Sequence, residues 1–258
     1  WDFGPVSLTS ITSYGELEQN EAYDVTYQLP GIADAIFGGL YPDEGPLGIV
    51  YPAVASQEKF TQELRLDSAD SDRFEWLLGA YYTKENGLLY QKYVPFPLND
   101  PQLLDPTVEV APGFVYDQFL TATLDSRYEE YAAFGSVTLY FSDRFDITAG
   151  ARYSHNEQDT LQILDGSLLV FSGSDPADVP EVVNGDSSED VFTWSVAPRF
   201  EISDYTTFYA RVAKGYRPGG PNVVPPGAGS SFPTQFDADT LISYEAGVRA
   251  ETPGGEFS

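Results

Sequence analysis

The sequence predicts an all-β fold, an antiparallel transmembrane β-barrel segment of about eight or nine strands. Three observations predict it. Apolar and polar residues alternate with a period of two along much of the chain, as in strands whose two faces meet different surroundings. Aromatic residues flank the apolar face of the clearest strands. Short turns alternate with long connections, as the short periplasmic turns and long extracellular loops of outer-membrane barrels do.

The clearest pattern lies in residues 131–153, where a Ser-Asp-Arg link at 142–144 joins two alternating segments into a hairpin. One face of its first strand carries Tyr131, Val137, Leu139 and Phe141, and the other is mostly small or polar. Similar patterns predict one barrel domain over residues 1–258, with a further strand starting at Glu256. The predicted strands cover approximately residues 6–24, 58–68, 73–93, 128–142, 145–163, 190–202, 206–216 and 239–251.

The predicted connections differ in length between the two ends of the strands. Residues 68–72, 142–144, 203–205 and 252–255 form short links, whereas residues 26–56, 95–126, 164–188 and 217–238 form long ones that hold most of the Pro and Gly. A soluble β-sandwich has mostly short connections. Because every backbone group in lipid must be paired, closed barrels are the β-structures that span membranes. The asymmetry therefore favours a membrane barrel.

The composition excludes several classes of function. With 40 Asp and Glu against 13 Lys and Arg, the formal charge is −27, which repels phosphate backbones and excludes nucleic acid as a partner. The absence of Cys excludes disulfide scaffolds, thiolate catalysis and Cys-ligated zinc. The 3 Trp, 18 Tyr and 17 Phe argue against intrinsic disorder. We expect a piece of a longer polypeptide, because the chain starts and stops inside patterned segments.

Three motifs carry a resemblance to a known family. A strand with Pro198 and Arg199 is followed by a Ser-Asp turn and by Gly-Tyr-Arg-Pro-Gly-Gly at 215–220. Gln-Glu-Leu-Arg-Leu occupies 62–66, and Tyr-Glu-Ala-Gly-Val-Arg occupies 244–249. In this order, the motifs resemble the mid-barrel region of TonB-dependent outer-membrane receptors.

The resemblance covers essentially all of the chain and implies energised uptake of a scarce nutrient, such as a ferric siderophore, across a bacterial outer membrane. It implies a barrel of about 22 strands with a plugged lumen. The plug, the coupling segment near it and the remaining strands are missing, so the chain as given should not transport. The implied partners are a siderophore-like ligand, outer-membrane lipid and lipopolysaccharide, and periplasmic TonB through the missing N-terminal region.

The candidate ligand-binding residues are polar or aromatic and lie at the predicted outer ends of strands. They are Tyr153, His155, Tyr216, Arg217 and Asn222. Charged residues on the inward phase of the strands predict a hydrated, charge-paired lumen; they are Arg65, Glu130, Arg152, Arg199, Glu201, Arg211, Glu245 and Arg249. The family's ligand residues vary with the substrate, so no contact is carried over by motif.

Other functions were weighed against this interpretation. Ser154, His155 and Asp159 are close in sequence, but Ser154 and His155 should face opposite sides of a strand, so no enzyme is predicted. The acidic stretch 164–190 predicts a solvated loop, with a cation site or divalent bridging to lipopolysaccharide as the alternative. No metal or cofactor is predicted. A passive porin-like or small closed barrel is the main alternative function, and a soluble secreted carbohydrate-binding β domain is the third.

Overall fold

One long antiparallel sheet dominates the computed structural model, which describes residues 1–28, 31–38, 45–69, 71–99, 109–111, 114–115, 119–225 and 232–251. Eight strands form this sheet in the order β1-β2-β3-β6-β7-β8-β9-β12. Their bounds are β1 Val6–Asp24, β2 Leu47–Ser68, β3 Phe74–Pro97, β6 Leu120–Ser142, β7 Phe145–Asp165, β8 Glu181–Ser203, β9 Thr206–Arg217 and β12 Asp239–Ala250. Each strand pairs with its neighbours in sequence along the sheet, which confirms the predicted antiparallel all-β fold.

Smaller elements lie in the long connections. Two short ribbons form there, from β4 Glu109–Ala111 with β5 Phe114–Val115, and from β10 Gly220–Pro221 with β11 Gln235–Phe236. Helix α1 covers Ile32–Phe37, helix α2 covers Ser167–Ser172, and Pro176–Asp178 forms a 3-10 turn. No helix in the described part of the chain is long and apolar enough to cross a membrane.

The sheet is open across the described residues, since β1 and β12 occupy its two edges without pairing with each other. The alternative of a small closed barrel made by these strands alone is therefore wrong. The predicted turn at 252–255 and the strand expected from Glu256 lie outside the described residues.

The sheet has one apolar and one polar face, as the alternation predicted. Register partners on neighbouring strands share a face. Tyr82, Tyr131 and His155 lie side by side, as do Trp76, Val137 and Ala149. We call the face that carries Val137 the outer face and the opposite one the inner face. Aromatic rings border the outer face at both ends: Phe141, Phe145 and Phe200 near the short turns, and Phe60, Tyr82 and Tyr131 towards the long connections.

Several strands continue well beyond their predicted ends on the side of the long connections. β2 begins at Leu47 rather than near residue 58, β6 at Leu120 rather than near 128, and β8 at Glu181 rather than near 190. Residues 181–188 belong to the acidic stretch that is expected as a solvated loop, but they pair with β7. Both faces of a strand meet water there, so polar residues occupy both and the alternation that marks a strand disappears.

A hydrophobic cluster joins three of the long connections at this end of the sheet. Its buried members are Val25, Ala33, Leu47, Ile49, Val94, Phe119 and Leu120, and Leu168 of α2 packs against them. Backbone hydrogen bonds tie the segments together, with the Leu168 N–H donating to the Phe119 carbonyl over 2.9 Å. We call these residues the loop-end cluster. It makes the connections between β1 and β2, β3 and β6, and β7 and β8 one packed unit.

Candidate functional site

The inner face carries a connected group of polar side chains at the level where β6 and β7 leave the apolar band. Glu130 accepts a hydrogen bond from Arg152 over 2.5 Å, and the Nε of Arg152 donates to Ser154 Oγ over 3.1 Å. The guanidinium of Arg152 also lies over the Tyr81 ring, 5.0 Å from its centroid. A cation held by a carboxylate and an aromatic face keeps a fixed direction.

This group continues towards β9. The Tyr128 hydroxyl donates to Asn156 Oδ1 over 3.0 Å, and Asn156 Nδ2 donates to the Tyr216 hydroxyl over 2.7 Å. Burial, followed by the nearby charge of Glu130, raises the pKa of Tyr128 well above its ordinary value, so the phenol stays protonated as a donor. The chain of contacts spans β6, β7 and β9. It forms a fixed polar surface on the inner face.

A segment after β9 packs against inner-face side chains of β7 and β8 next to this surface, and we call residues 218–225 the strap. Gln162 of β7 holds it by both ends of its side-chain amide: Nε2 donates to the Val224 carbonyl over 2.7 Å and Oε1 accepts from the Val224 N–H over 2.8 Å. Gln162 and Val224 are both buried. Satisfying a donor and an acceptor together is a strong local restraint, because either group would be costly to bury unpaired.

Gly219 lets the strap approach its own connection closely. A Cβ on Gly219 would lie 2.5 Å from the Phe236 carbonyl oxygen and 2.8 Å from the Ala238 nitrogen, two backbone atoms, whereas one on Gly220 would meet only the movable end of the Gln158 side chain at 2.6 Å. The Gly219 N–H donates to Glu189 Oε2 over 3.2 Å. Glycine is therefore required at position 219 of the 215–220 motif, where two backbone segments of the same connection come together.

The structure separates the predicted site residues into two groups. Tyr216 belongs to the inner polar group, Arg217 pairs with Asp239, and Asn222 Nδ2 donates to the Pro233 carbonyl within the same connection over 2.9 Å. Tyr153 and His155 lie on the outer face, where Tyr153 donates to Asp190 Oδ1 over 2.8 Å. Tyr216, Arg217 and Asn222 therefore lie in one region, and Tyr153 and His155 lie apart from them.

Ser154 and His155 face opposite sides of β7. Ser154 is 1% exposed and accepts from Arg152 on the inner face, whereas His155 Nδ1 lies 3.0 Å from Asp190 Oδ1 on the outer face. Within the ranges that the structure describes, no three His, Cys, Asp or Glu side chains gather as a group able to hold a metal ion. Asn156 and Gln162 are not among the sequence-predicted residues, and Glu130 is predicted only as a lumen residue. The inward parity of Asn156 and Gln162 with Arg152 is the signal that could have found them.

His155 lies two residues beyond the ring of Tyr153, outside the apolar band, and should titrate above its ordinary pKa. The hydrogen bond with Asp190 makes the largest contribution to the raised pKa of His155, and the hydrogen bond with Glu157 makes the next. The same hydrogen bond with His155 lowers the pKa of Asp190. Because the pKa of His155 is higher in the folded state than in the unfolded state, its protonation stabilises the fold. This stabilisation is complete below the unfolded-state pKa and is lost as the pH rises through the folded-state pKa. The lowered pKa of Asp190 also stabilises the fold, but this contribution is lost as the pH falls through the folded-state pKa of Asp190. Between the pKa of Asp190 and that of His155, both side chains are charged.

We predict that Asp190→Asn lowers the His155 pKa more than Glu157→Gln does, because Asp190 makes the larger contribution. His155 is the one histidine of this chain, and NMR titration of the complete protein can follow its ring, assigned by the signal that His155→Gln removes. A larger effect of Glu157→Gln, or no change with either variant, would contradict this geometry.

A family model described as TonB dependent receptor-like, beta-barrel, matches residues 1–258. The chain belongs to the TonB-dependent receptor family. TonB-dependent receptor barrels are proteins of the bacterial outer membrane, so the outer face contacts lipid and the inner face lines the lumen. This membership decides against the passive porin and the soluble carbohydrate-binding domain.

Relatives and solved structures agree with this TonB-dependent receptor assignment. The pesticin receptor of Yersinia pestis is 34% identical over 134 residues, which are 52% of this chain and 18% of the relative, and that of Yersinia enterocolitica matches equally. The crystal structure of the ferric yersiniabactin uptake receptor FyuA from Yersinia pestis superposes with a TM-score of 0.68 at 22% identity, over 98% of this chain and 32% of FyuA. The siderophore receptor PiuA from Acinetobacter baumannii superposes with a TM-score of 0.61 at 13% identity, over 98% of this chain and 36% of PiuA. The chain thus spans about a third of these barrel proteins and less of the curated relatives.

Proposed function

We propose that the complete receptor takes up a ferric siderophore, or a similar scarce small molecule, across the outer membrane with energy supplied through periplasmic TonB. The observation that carries the proposal is the inner polar surface beside the strap, built from Glu130, Arg152, Asn156 and Tyr216. FyuA is described as a ferric yersiniabactin uptake receptor and PiuA as a siderophore receptor, and both support the ligand class. The chain acts by shaping a lumen and an outer opening; we assign it no enzymatic reaction and no nucleic-acid partner.

Among the predicted ligand residues, we propose that Tyr216, Arg217 and Asn222 face the ligand. Tyr216 lies on the inner face and the other two lie in or beside the strap. Ferric siderophore complexes are commonly anionic, and a guanidinium with most of its surface in water can bind such groups. Arg217 has a side-chain exposure of 73%, against 67% for its partner Asp239. Tyr153 and His155 lie on the lipid side, where we propose that they meet the membrane surface.

Uptake in cells tests this function. A strain that lacks the gene, and a second strain that lacks TonB, would be grown with ferric yersiniabactin, a ferric hydroxamate or a ferric catecholate as the only iron source. We expect the strain that lacks the gene to fail to grow on at least one chelate. The strain that lacks TonB should fail to grow on the same chelate although it carries the gene, because uptake needs both. Unimpaired growth of the deletion strain on every chelate, or uptake that is independent of TonB, would contradict the proposal.

The ligand surface has its own prediction. Losing a hydrogen bond to a charged group costs about 1.5–3 kcal/mol, so Arg217→Ala should weaken binding of the transported chelate to the complete receptor by roughly tenfold or more. His155→Ala, on the lipid-facing side of β7, is the matched control and should leave the Kd unchanged. Equal losses in the two variants, measured by titration of the purified receptor, would contradict the assignment of Arg217 to the ligand surface.

A further inference from the structure

Three tyrosines form a ladder across β1, β2 and β3, next to the loop-end cluster. Tyr23 and Tyr51 are register partners, and their ring centroids lie 6.2 Å apart with an angle of 22° between the rings. Tyr93 continues the row on β3, with its ring centroid 4.9 Å from that of Tyr51. The three differ in strand parity from the outer-face row of Tyr14, Phe60 and Tyr82, so they belong to the inner face. We call them the tyrosine ladder.

Two rings of the ladder are fixed by packing, and the third is half-exposed. The side chains of Tyr51 and Tyr93 pack against the loop-end cluster, and the Tyr51 hydroxyl accepts a hydrogen bond from Gln91 Nε2. Tyr23 is 49% exposed. A tyrosine has only two side-chain torsions, and a ring already held by its neighbours loses little entropy when a ligand packs on it. The ladder therefore presents a preorganised aromatic surface on the side of the sheet that lines the lumen.

On the membrane side of the ladder, the inner face becomes apolar. The two register rows there place side by side Ala53, Ala55, Leu89, Ala122 and Leu124. We call these five residues the apolar wall; Ala53 is buried and the others are partly buried. On β1, β2, β3 and β6, where the structure describes every residue of these two rows, they contain Glu21 but no Lys or Arg. The surface next to the ladder thus suits uncharged carbon, and it offers no cation to an anionic group.

We propose that the tyrosine ladder and the apolar wall make the receptor selective for ferric chelates that carry aryl rings, such as catechol or phenol groups, over aliphatic hydroxamates. The inference rests on the proposed function, because it names the class of ligand that the uptake serves. Aromatic pairs gain energy beyond the area that they bury, and an aliphatic chelate on the same surface gains the area alone. Glu21, two positions before Tyr23 on the same face, repels carboxylate-rich chelates as well.

Binding of chelates to the complete receptor tests this selectivity. The purified receptor would be titrated with a ferric catecholate, a ferric phenolate and a ferric trihydroxamate, of which the last has no aryl ring. We expect a tighter Kd for at least one of the two aryl chelates than for the trihydroxamate. Tyr23→Leu removes a stacking ring and should weaken binding of that aryl chelate by roughly three- to tenfold. Tyr23→Phe keeps the ring and should bind as the wild type does.

Tyr14→Leu is the matched control, because Tyr14 lies on the same strand, is 61% exposed and faces the outer side. It should leave every Kd unchanged. Heat-modifiable mobility on gels checks that each variant forms a barrel. Where Tyr23→Leu fails that check, Tyr23→Gln also removes the ring and is subject to the same outcomes.

Several results would overturn the inference: a trihydroxamate bound as tightly as the aryl chelates, no binding of either aryl chelate, an unchanged Kd in Tyr23→Leu, or an equal loss in Tyr14→Leu or Tyr23→Phe. Growth separates this failure from that of the proposed function. TonB-dependent growth on the hydroxamate alone would contradict the role of the ladder and leave the uptake function standing. Absence of TonB-dependent growth on every chelate would contradict the uptake function itself.

Discussion

Phe119→Ala is expected to loosen the extracellular end of the receptor without preventing the barrel from forming. The Phe119 side chain is 1% exposed at the centre of the loop-end cluster. It precedes Tyr131 by 12 positions, so it lies far above the apolar band, where water surrounds the cluster and burial of apolar surface is stabilising. Removing a buried phenylalanine ring costs about 3–5 kcal/mol.

Hydrogen exchange of the complete receptor measures this loss locally. The N–H of Leu168 donates to the Phe119 carbonyl and that of Val25 to the Ile49 carbonyl, so both amides report opening of the cluster. Their protection should fall by two orders of magnitude or more, since each 1.4 kcal/mol is about tenfold. Phe171→Ala is the matched control, because Phe171 in the nearby α2 is 45% exposed. Comparable losses of protection in the two variants would show that the cluster is not a packed unit.

The strands and their two faces could be predicted because a single local rule governs them. Between the aromatic borders, one face meets lipid and the other the lumen, so a period of two appears directly in residues such as Tyr131, Val137 and Leu139. The same rule fails above the membrane, where water reaches both faces. Residues 181–188, which lie in the acidic stretch, carry no alternation that separates them from a loop, and only their pairing with β7 shows that they form a strand.

The site was predicted in part. The 215–220 motif predicts Tyr216 as a site residue and includes the start of the strap, but it does not predict which residues the strap contacts. Gln162 is 62 positions from Val224, and no local pattern connects two residues so far apart. His155 was chosen because it lies near the outer end of a strand. Its parity with Ala151 and Tyr153 places it on the apolar face, so the alternation itself already contained this information.

The central claim is that the Val137 face contacts lipid and the opposite face lines the lumen. Val137 lies in the middle of the apolar band between its partners Trp76 and Ala149. An arginine on the lipid face of a barrel near the midplane costs about 2–4 kcal/mol, because the charge has neither water nor a counter-ion there. Ser136, one position away, faces the other side, beside Gly150 and Leu77.

The most direct test is the unfolding free energy of the complete receptor in lipid vesicles, compared between Val137→Arg and Ser136→Arg. The two variants introduce the same side chain at nearly the same depth and differ only in face. We predict a loss of about 2–4 kcal/mol for Val137→Arg and a much smaller loss for Ser136→Arg. Equal losses, or a larger loss for Ser136→Arg, would contradict the assignment of the two faces.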